Sequence, residues 1–280
     1  MIYSYSSLRV LPLALLLAFL SPTVWTQDRQ DLQGDVIMRL KETRPGFGIY
    51  LVVQARAAGR ASEAHSVLYD QLKALSCDHS PQGWPAATIQ CGAIAAEIQA
   101  LDPEGGVGEA MLVRWVEAFL GLPNRPSSKE IGVIPGQQDS FGQYSTEYKE
   151  WSRKQGWSPQ DAAGQEIGCS MLIQILGSMG DPKLIPLFRR GLAPNSQAIL
   201  IASTVGLALL KEKEALPAIL AAARSLKEQE YNEVLAQLLH FDDPNVDRLI
   251  QTRITDKGLR ERVKTRPRAK VNPAFRTTTR

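Results

Sequence analysis

Residues 175–192 read Ile-Leu-Gly-Ser-Met-Gly-Asp-Pro-Lys-Leu-Ile-Pro-Leu-Phe-Arg-Arg-Gly-Leu, and their apolar positions return twice along the chain at a spacing of 31. Leu176, Leu207 and Leu238 form one column, and Met179, Leu210 and Phe241 a second. Asp181-Pro182 reappears as Asp243-Pro244, with Glu212-Lys213 between them. Three further columns follow: Leu184/Ala215/Val246, Leu187/Ala218/Leu249 and Phe188/Ile219/Ile250. A fixed period of this size belongs to helical hairpins, each too small to bury its apolar face alone.

The local chemistry agrees. Gly180 takes the left-handed conformation that ends a first helix. Asp181 accepts from the orphan N–H groups of a second helix, and Pro182 fits its first position. Pro186 lies one turn later, where it removes a backbone hydrogen bond, and it recurs as Pro217. A bend at that point is therefore expected in both copies. The third copy, Tyr231–Ile254, carries Arg248 where the others have proline.

With its Leu-Gly…Gly-Asp-Pro…Ile-Pro-Leu pattern, the segment resembles the short HEAT repeats first associated with phycobilin lyases. The resemblance covers about 90 residues, all of them within 158–255. It implies an all-α chain, a right-handed α-solenoid of stacked helical hairpins. Such repeats serve chiefly as scaffolds, and lyase activity belongs to only some relatives. The N-terminal half also looks like tetratricopeptide repeats, through Gly59…Glu63-Ala64 and Leu101-Asp102-Pro103. Either likeness implies stacked helix pairs.

Upstream of the repeats, residues 27–121 read as helical hairpins. The pattern predicts a helix over 32–58 with a break at Arg44-Pro45-Gly46, then one from a Ser62 cap to about Leu75. Ala86–Ala100 and Gly108–Gly121 follow, separated by the turn cluster Asp102-Pro103-Glu104-Gly105-Gly106. Residues 122–157 interrupt this with Pro123, Pro126, Pro135, Gly132, Gly136 and Gly142. Their second half carries Phe141, Tyr144, Tyr148, Trp151 and Trp157, too many aromatics for a disordered linker. This irregular, aromatic-rich insertion is expected to be ordered there. Ser158-Pro159-Gln160-Asp161 then opens the repeat region with a capping box.

The chain has 280 residues and a net charge of +3, unevenly spread. Residues 256–280 hold nine Lys and Arg against two acids, a net +7. Arg9 is the one charge before residue 27, which leaves −5 for residues 27–255. The tail lacks apolar periodicity and is expected to be disordered. Arg260, Arg262, Lys264, Arg266, Arg268 and Lys270 recur every second residue, which suits an extended strand. They make the tail a candidate contact for an anionic membrane or polymer. With only Phe275 among the basic residues, nucleic acid is not the expected partner.

Residues 1–26 read as a secretory signal peptide. The apolar run Val10–Leu20 is too short for a hydrocarbon layer of about 30 Å, which needs about 20 residues. Val24 and Thr26 suit cleavage before Gln27, so an exported, periplasmic or secreted protein is expected. Export permits a disulfide. Cys77 and Cys91 flank a short loop and are the candidate pair, while Cys169 lies in an apolar helical pattern as a small core residue.

Catalytic signatures are missing from the sequence. His65, His79 and His240 form no metal-ligand spacing, and Cys77-Asp78-His79 is one short cluster. Ser140 has Gly142 after it but Gln138 where a nucleophile elbow needs glycine. No catalytic residue, metal or cofactor is expected. Tyr144, Tyr148, Trp151 and Trp157 can form a stacking platform for a partner, or alternatively plug the interior. Three functional readings follow: a scaffold binding a protein or peptide on the solenoid surface, an adaptor held to an anionic surface by its tail, and an enzyme with its site at residues 122–157.

Overall fold

The computed structural model describes residues 35–77, 88–123, 126, 144–193, 196–224, 226, 228–254, 257–265 and 267–276. The signal-peptide reading of 1–26, the loop with His79, and Ser140 and Phe141 fall outside them. The described residues are all-helical: thirteen α-helices, four 3-10 turns and no strand. The fold is compatible with a helical repeat protein.

Five helices precede the insertion: α1 (Val36–Glu42), α2 (Ile49–Ala57), α3 (Ala61–Ala74), α4 (Thr88–Leu101) and α5 (Val107–Leu120). The expected break at Arg44-Pro45-Gly46 separates α1 from α2, with Gly46 at φ 84°. Helix α3 starts earlier than the Ser62 cap implied. Arg60 takes the cap position and fixes the turn by a bidentate pair with Glu63 and a bond to Asp35. At the α4–α5 turn, the Asp102 carboxylate accepts from Gly105 N–H. The buried Gln99 amide bridges the same turn, donating to Pro103 O and accepting from Glu109 N–H. Helix α4 is the centre of this half, in contact with α2, α3, α5 and the repeat region.

The insertion ends in α6 (Thr146–Lys154), and the repeat region opens with α7 (Pro159–Met179). Ser158 caps α7, accepting from Asp161 N–H at 3.1 Å and donating to the Asp161 carboxylate at 2.6 Å. After α7 come α8 (Ile185–Arg190), α9 (Gln197–Leu209), α10 (Leu216–Ala223), α11 (Glu228–Gln237), α12 (Pro244–Arg253) and α13 (Lys257–Thr265). Helix α9 packs on α7, on α8 and on α11. The column Leu176, Leu207, Leu238 is fully buried, as are Phe188, Ile219 and Ile250. The columns Met179/Leu210/Phe241 and Leu184/Ala215/Val246 are buried or nearly so. Leu187/Ala218/Leu249 is uneven: Leu187 is buried, Leu249 half-buried and Ala218 exposed.

The expected bend at Pro186 and Pro217 takes another form. A 3-10 turn, Pro182–Leu184 or Lys213–Ala215, precedes each second helix, and the proline becomes the second residue of α8 or α10. A first-turn N–H has no intrahelical acceptor, so proline there forfeits nothing. The third copy, with Arg248, runs as one unbroken α12. Asp181 accepts from Lys183 N–H, and Asp243 from Asn245 and Val246 N–H, as the cap reading required. Glu212 makes no such cap and pairs instead with Arg189 of the preceding hairpin at 2.7 Å.

The left-handed turn residue also recurs at the period. Gly180 has φ 75°, Lys211 φ 59° and Asp242 φ 53°. Close approach between first helices falls on glycine as well. A Cβ at Gly177 would lie 3.0 Å from the Gly206 Cα, so α7 and α9 meet backbone to backbone there. Gly206 in turn lies beneath the Phe188 ring.

The basic tail is not a disordered extension among its described residues. Residues 257–265 form α13, which seats Val263 in the core, so the alternating cations lie on a helix there rather than a strand. Residues 267–276 then run back across the turns of the repeats and end in a 3-10 turn, Pro273–Phe275, against α2 and α4. Val271, Ala274 and Phe275 supply an apolar side that composition averaging over a basic segment conceals. One hydrophobic core thus extends from Ile37 to Phe275.

Candidate functional site

Four places were candidates for function, beginning with the aromatic quartet at the end of the insertion. Helix α6, capped by Ser145 on Tyr148 N–H, turns this group inward. Tyr148 is fully buried and Trp151 and Trp157 nearly so, while Tyr144 is half-buried. Tyr144 stacks on Tyr148 at 5.2 Å, Trp151 meets Trp157 edge-on at 6.0 Å, and Trp157 stacks against Phe119 of α5 at 6.5 Å. The Trp151 indole N–H donates to Pro123 O. A stacking platform for a partner needs exposed ring faces; these rings seal α5 against α6 and α7 instead. The reading of Tyr148, Trp151 and Trp157 as partner contacts is corrected to core packing.

Second is the cysteine pair. Cys77 and Cys91 are joined by a disulfide that ties the end of α3 to the first turn of α4. Cys169 takes no part in the disulfide and is buried in α7. Third, no group of three or more His, Cys, Asp or Glu able to hold a metal occurs among the described residues. His65 lies against Tyr69 on the exposed side of α3, with ring centroids 4.4 Å apart.

The titratable group with the largest displaced pKa was not singled out by the sequence. Glu97 lies in the middle of α4 with 1% of its surface exposed. One carboxyl oxygen accepts from Gly48 N–H, and the other has no hydrogen-bond partner. Burial pushes its pKa up to about 8, against a smaller lowering by the Gly48 bond. At neutral pH it is mostly a neutral acid in an apolar setting. Glu97 lines neither the groove between α8 and α10 nor the cavity beside Arg268.

Fourth is the surface formed by the second helices of the first two repeats. Between α8 and α10 lies an open groove of about 520 Å³. Leu192, Ala215, Ala218 and Ala221 give it an apolar floor, and Arg189 and Glu214 line its edge. Small side chains line the groove, with Ala218 at the column position that Leu187 holds in the first copy. The unevenness of that column in the sequence was the available signal. Arg189 bridges to Glu212 and Glu214, and Arg190 to Glu117 of α5, so both guanidinium groups are tied to the scaffold.

The cations of the tail divide by role. Arg268 forks onto two carboxylates, Asp242 and Asp247, with Asp247 at 2.7 Å, and their charge holds its proton more firmly than usual. Arg262 and Lys270 are exposed, and Arg260 is half-buried beside Arg268. The side chains of Lys264 and Arg266 lie outside the described residues. Sequence reasoning had no means of seeing that Arg268 meets Asp242 and Asp247, because the contact depends on the tail doubling back.

Comparison with known proteins finds no match for this chain among protein-family models, curated proteins or solved structures.

Proposed function

We propose that the chain is an exported, non-enzymatic interaction scaffold: a right-handed, HEAT-like α-solenoid that holds a protein or peptide partner on its surface. The observation that carries this reading is the groove between α8 and α10, an apolar floor flanked by charge on hairpins that repeat at 31 residues. Repeat scaffolds bind through the surface that successive second helices create. Support comes also from the leader-like residues 1–26 and from the missing catalytic signatures in the sequence. The test is crosslinked capture from a bacterial envelope fraction at physiological salt, with the wild-type chain and an Ala218→Glu variant. Ala218 is exposed on the groove floor, so the variant keeps its fold while filling the groove with charge. A discrete partner held by the wild type and lost in the variant is expected. Equal capture by both moves binding off this groove.

A second reading, an adaptor held to an anionic surface, draws on the exposed cations Lys257, Arg262, Lys270 and Arg276 on one terminal segment. It predicts partitioning to anionic vesicles that falls steeply with salt. Unchanged partitioning of a variant with these four residues replaced by serine sinks it.

A further inference from the structure

The segment 267–276 is bound to the repeats much as a peptide is bound to a receptor. Its backbone forms no helix or strand until the closing 3-10 turn. Main-chain contacts fix its register: Ala269 N–H donates to His240 Nδ1 at 2.8 Å, and Asn272 N–H donates to Ser178 O at 2.8 Å. Between them Val271 lies over Gly180, close enough that a Cβ there would sit 2.8 Å from Val271 Cγ1. Arg268 anchors one end on Asp242 and Asp247. Phe275 anchors the other, buried to 9% exposure, while Arg56 of α2 donates to Ala274 O. Asn272 shapes the closing turn, its side chain accepting from Ala274 N–H.

Two features show that the fit is incomplete at the arginine end. Asp247 Oδ1 is buried and has no hydrogen-bond partner, although Oδ2 holds Arg268. Beside it a cavity of about 80 Å³ remains, with Asp247, Ile250, Arg260, Val263 and Arg268 in its lining. A buried carboxylate oxygen without a donor is unfavourable. A better ligand for this track is therefore one that keeps the two anchors and adds a donor at that cavity.

We infer that the track running from Asp242 and Asp247 past Gly180 to Arg56 is a docking surface for an extended peptide segment of a partner. That segment carries an arginine, an aromatic residue seven positions after it, and a hydrogen-bond donor beside the arginine; the chain's own C-terminal segment is its resident occupant. This deepens the scaffold reading, on which it rests, by naming a second surface and the chemistry it takes. The recognition mode combines main-chain hydrogen bonds for affinity with two side-chain pockets for selectivity, as in other extended-peptide sites. Intramolecular attachment gives the resident segment a high effective concentration, so an outside ligand competes only when the resident is weakened or the ligand is better.

The experiment measures binding of a fluorescent peptide with the sequence of residues 267–276 to full-length chains by anisotropy. Wild type is compared with Arg268→Ala/Phe275→Ala, and with that double variant also carrying Asp242→Asn/Asp247→Asn. Saturable binding at least tenfold tighter to the double variant than to wild type is expected, with loss in the quadruple variant and with a scrambled peptide. Lack of saturable binding to a double variant that keeps its helical circular dichroism, or equal binding to all three chains, overturns the inference. Should the double variant lose its helices, Arg268→Ala alone leaves Phe275 seated and is expected to gain about threefold over wild type; no gain overturns the inference. The outcome separates from the scaffold reading, because capture of an envelope partner that is sensitive to Ala218→Glu but not to these substitutions retains the scaffold and rejects this surface.

Discussion

Glu97 is a carboxyl group that folding takes out of water and gives one hydrogen bond. Its folded pKa of about 8 lies above the ordinary value of 4.5, so the native state holds a proton the unfolded chain releases. The stability this proton represents is complete below about pH 4.5 and declines as pH rises towards 8. Each pKa unit is worth about 1.4 kcal/mol, so the decline amounts to a few kcal/mol. Glu97→Gln is expected to flatten the dependence of the urea midpoint on pH between 5 and 8 and to raise it most at the alkaline end; an unchanged slope rejects the assignment. Leu207 makes the opposite case, an apolar residue whose burial was legible from its period alone. Leu207→Asp places a carboxylate where no surface is exposed. It is expected to destabilise by about 4 kcal/mol or more, read as lost helicity. A folded variant with unchanged circular dichroism contradicts the packing of α9. The sequence showed Leu207 because three copies agree on it, and hid Glu97 because helix α4 is buried around most of its circumference and no period marks its acid.

At the scale of elements, the turn between the two helices of each hairpin is the most regular feature. The left-handed residue recurs as Gly180, Lys211 and Asp242, though only the first is the type that conformation favours. Gly180→Ala is expected to be destabilising by about 1–3 kcal/mol, since it adds backbone strain and a methyl group against Val271. Chemical denaturation measures it, and a neutral effect means that the tail does not pack there. The disulfide between α3 and α4 closes a loop with a sequence separation of 14, a size for which cross-linking is worth about 3 kcal/mol. Reductant is expected to lower unfolding stability by about that amount, and Cys77→Ser/Cys91→Ser should abolish the sensitivity. Helix boundaries in the repeats were legible because Asp-Pro and Ser-Pro-x-Asp punctuate them. The 3-10 turns before α8 and α10 were not, because proline's place within a helix depends on where the previous turn stops. Between a platform and an interior plug the sequence had no means of choosing for Trp151 and Trp157, because aromatic composition signals order but not which way the rings face.

For the whole molecule, the repeat period sets a local rule and the C-terminal segment a global one. Hairpins that touch only their neighbours make a chain of semi-independent units, each able to open from the nearer end. Residues 268–275 touch the third copy at Asp242 and Asp247, the first at Ser178 and Gly180, and the N-terminal half at Arg56. The reading of a loose basic tail missed this because charge pattern describes solvent preference and says little about where a strand of backbone finds its acceptors. This return path is also a measure of length. An extended residue spans at most about 3.6 Å, so the eight residues from Arg268 to Phe275 cover a fixed distance across the hairpins. Open repeat arrays grow or shrink by whole units without penalty to those that remain. Here a duplicated hairpin would pull Arg268 off its acids or Phe275 out of its pocket, so the segment acts as a ruler that holds the number of repeats constant.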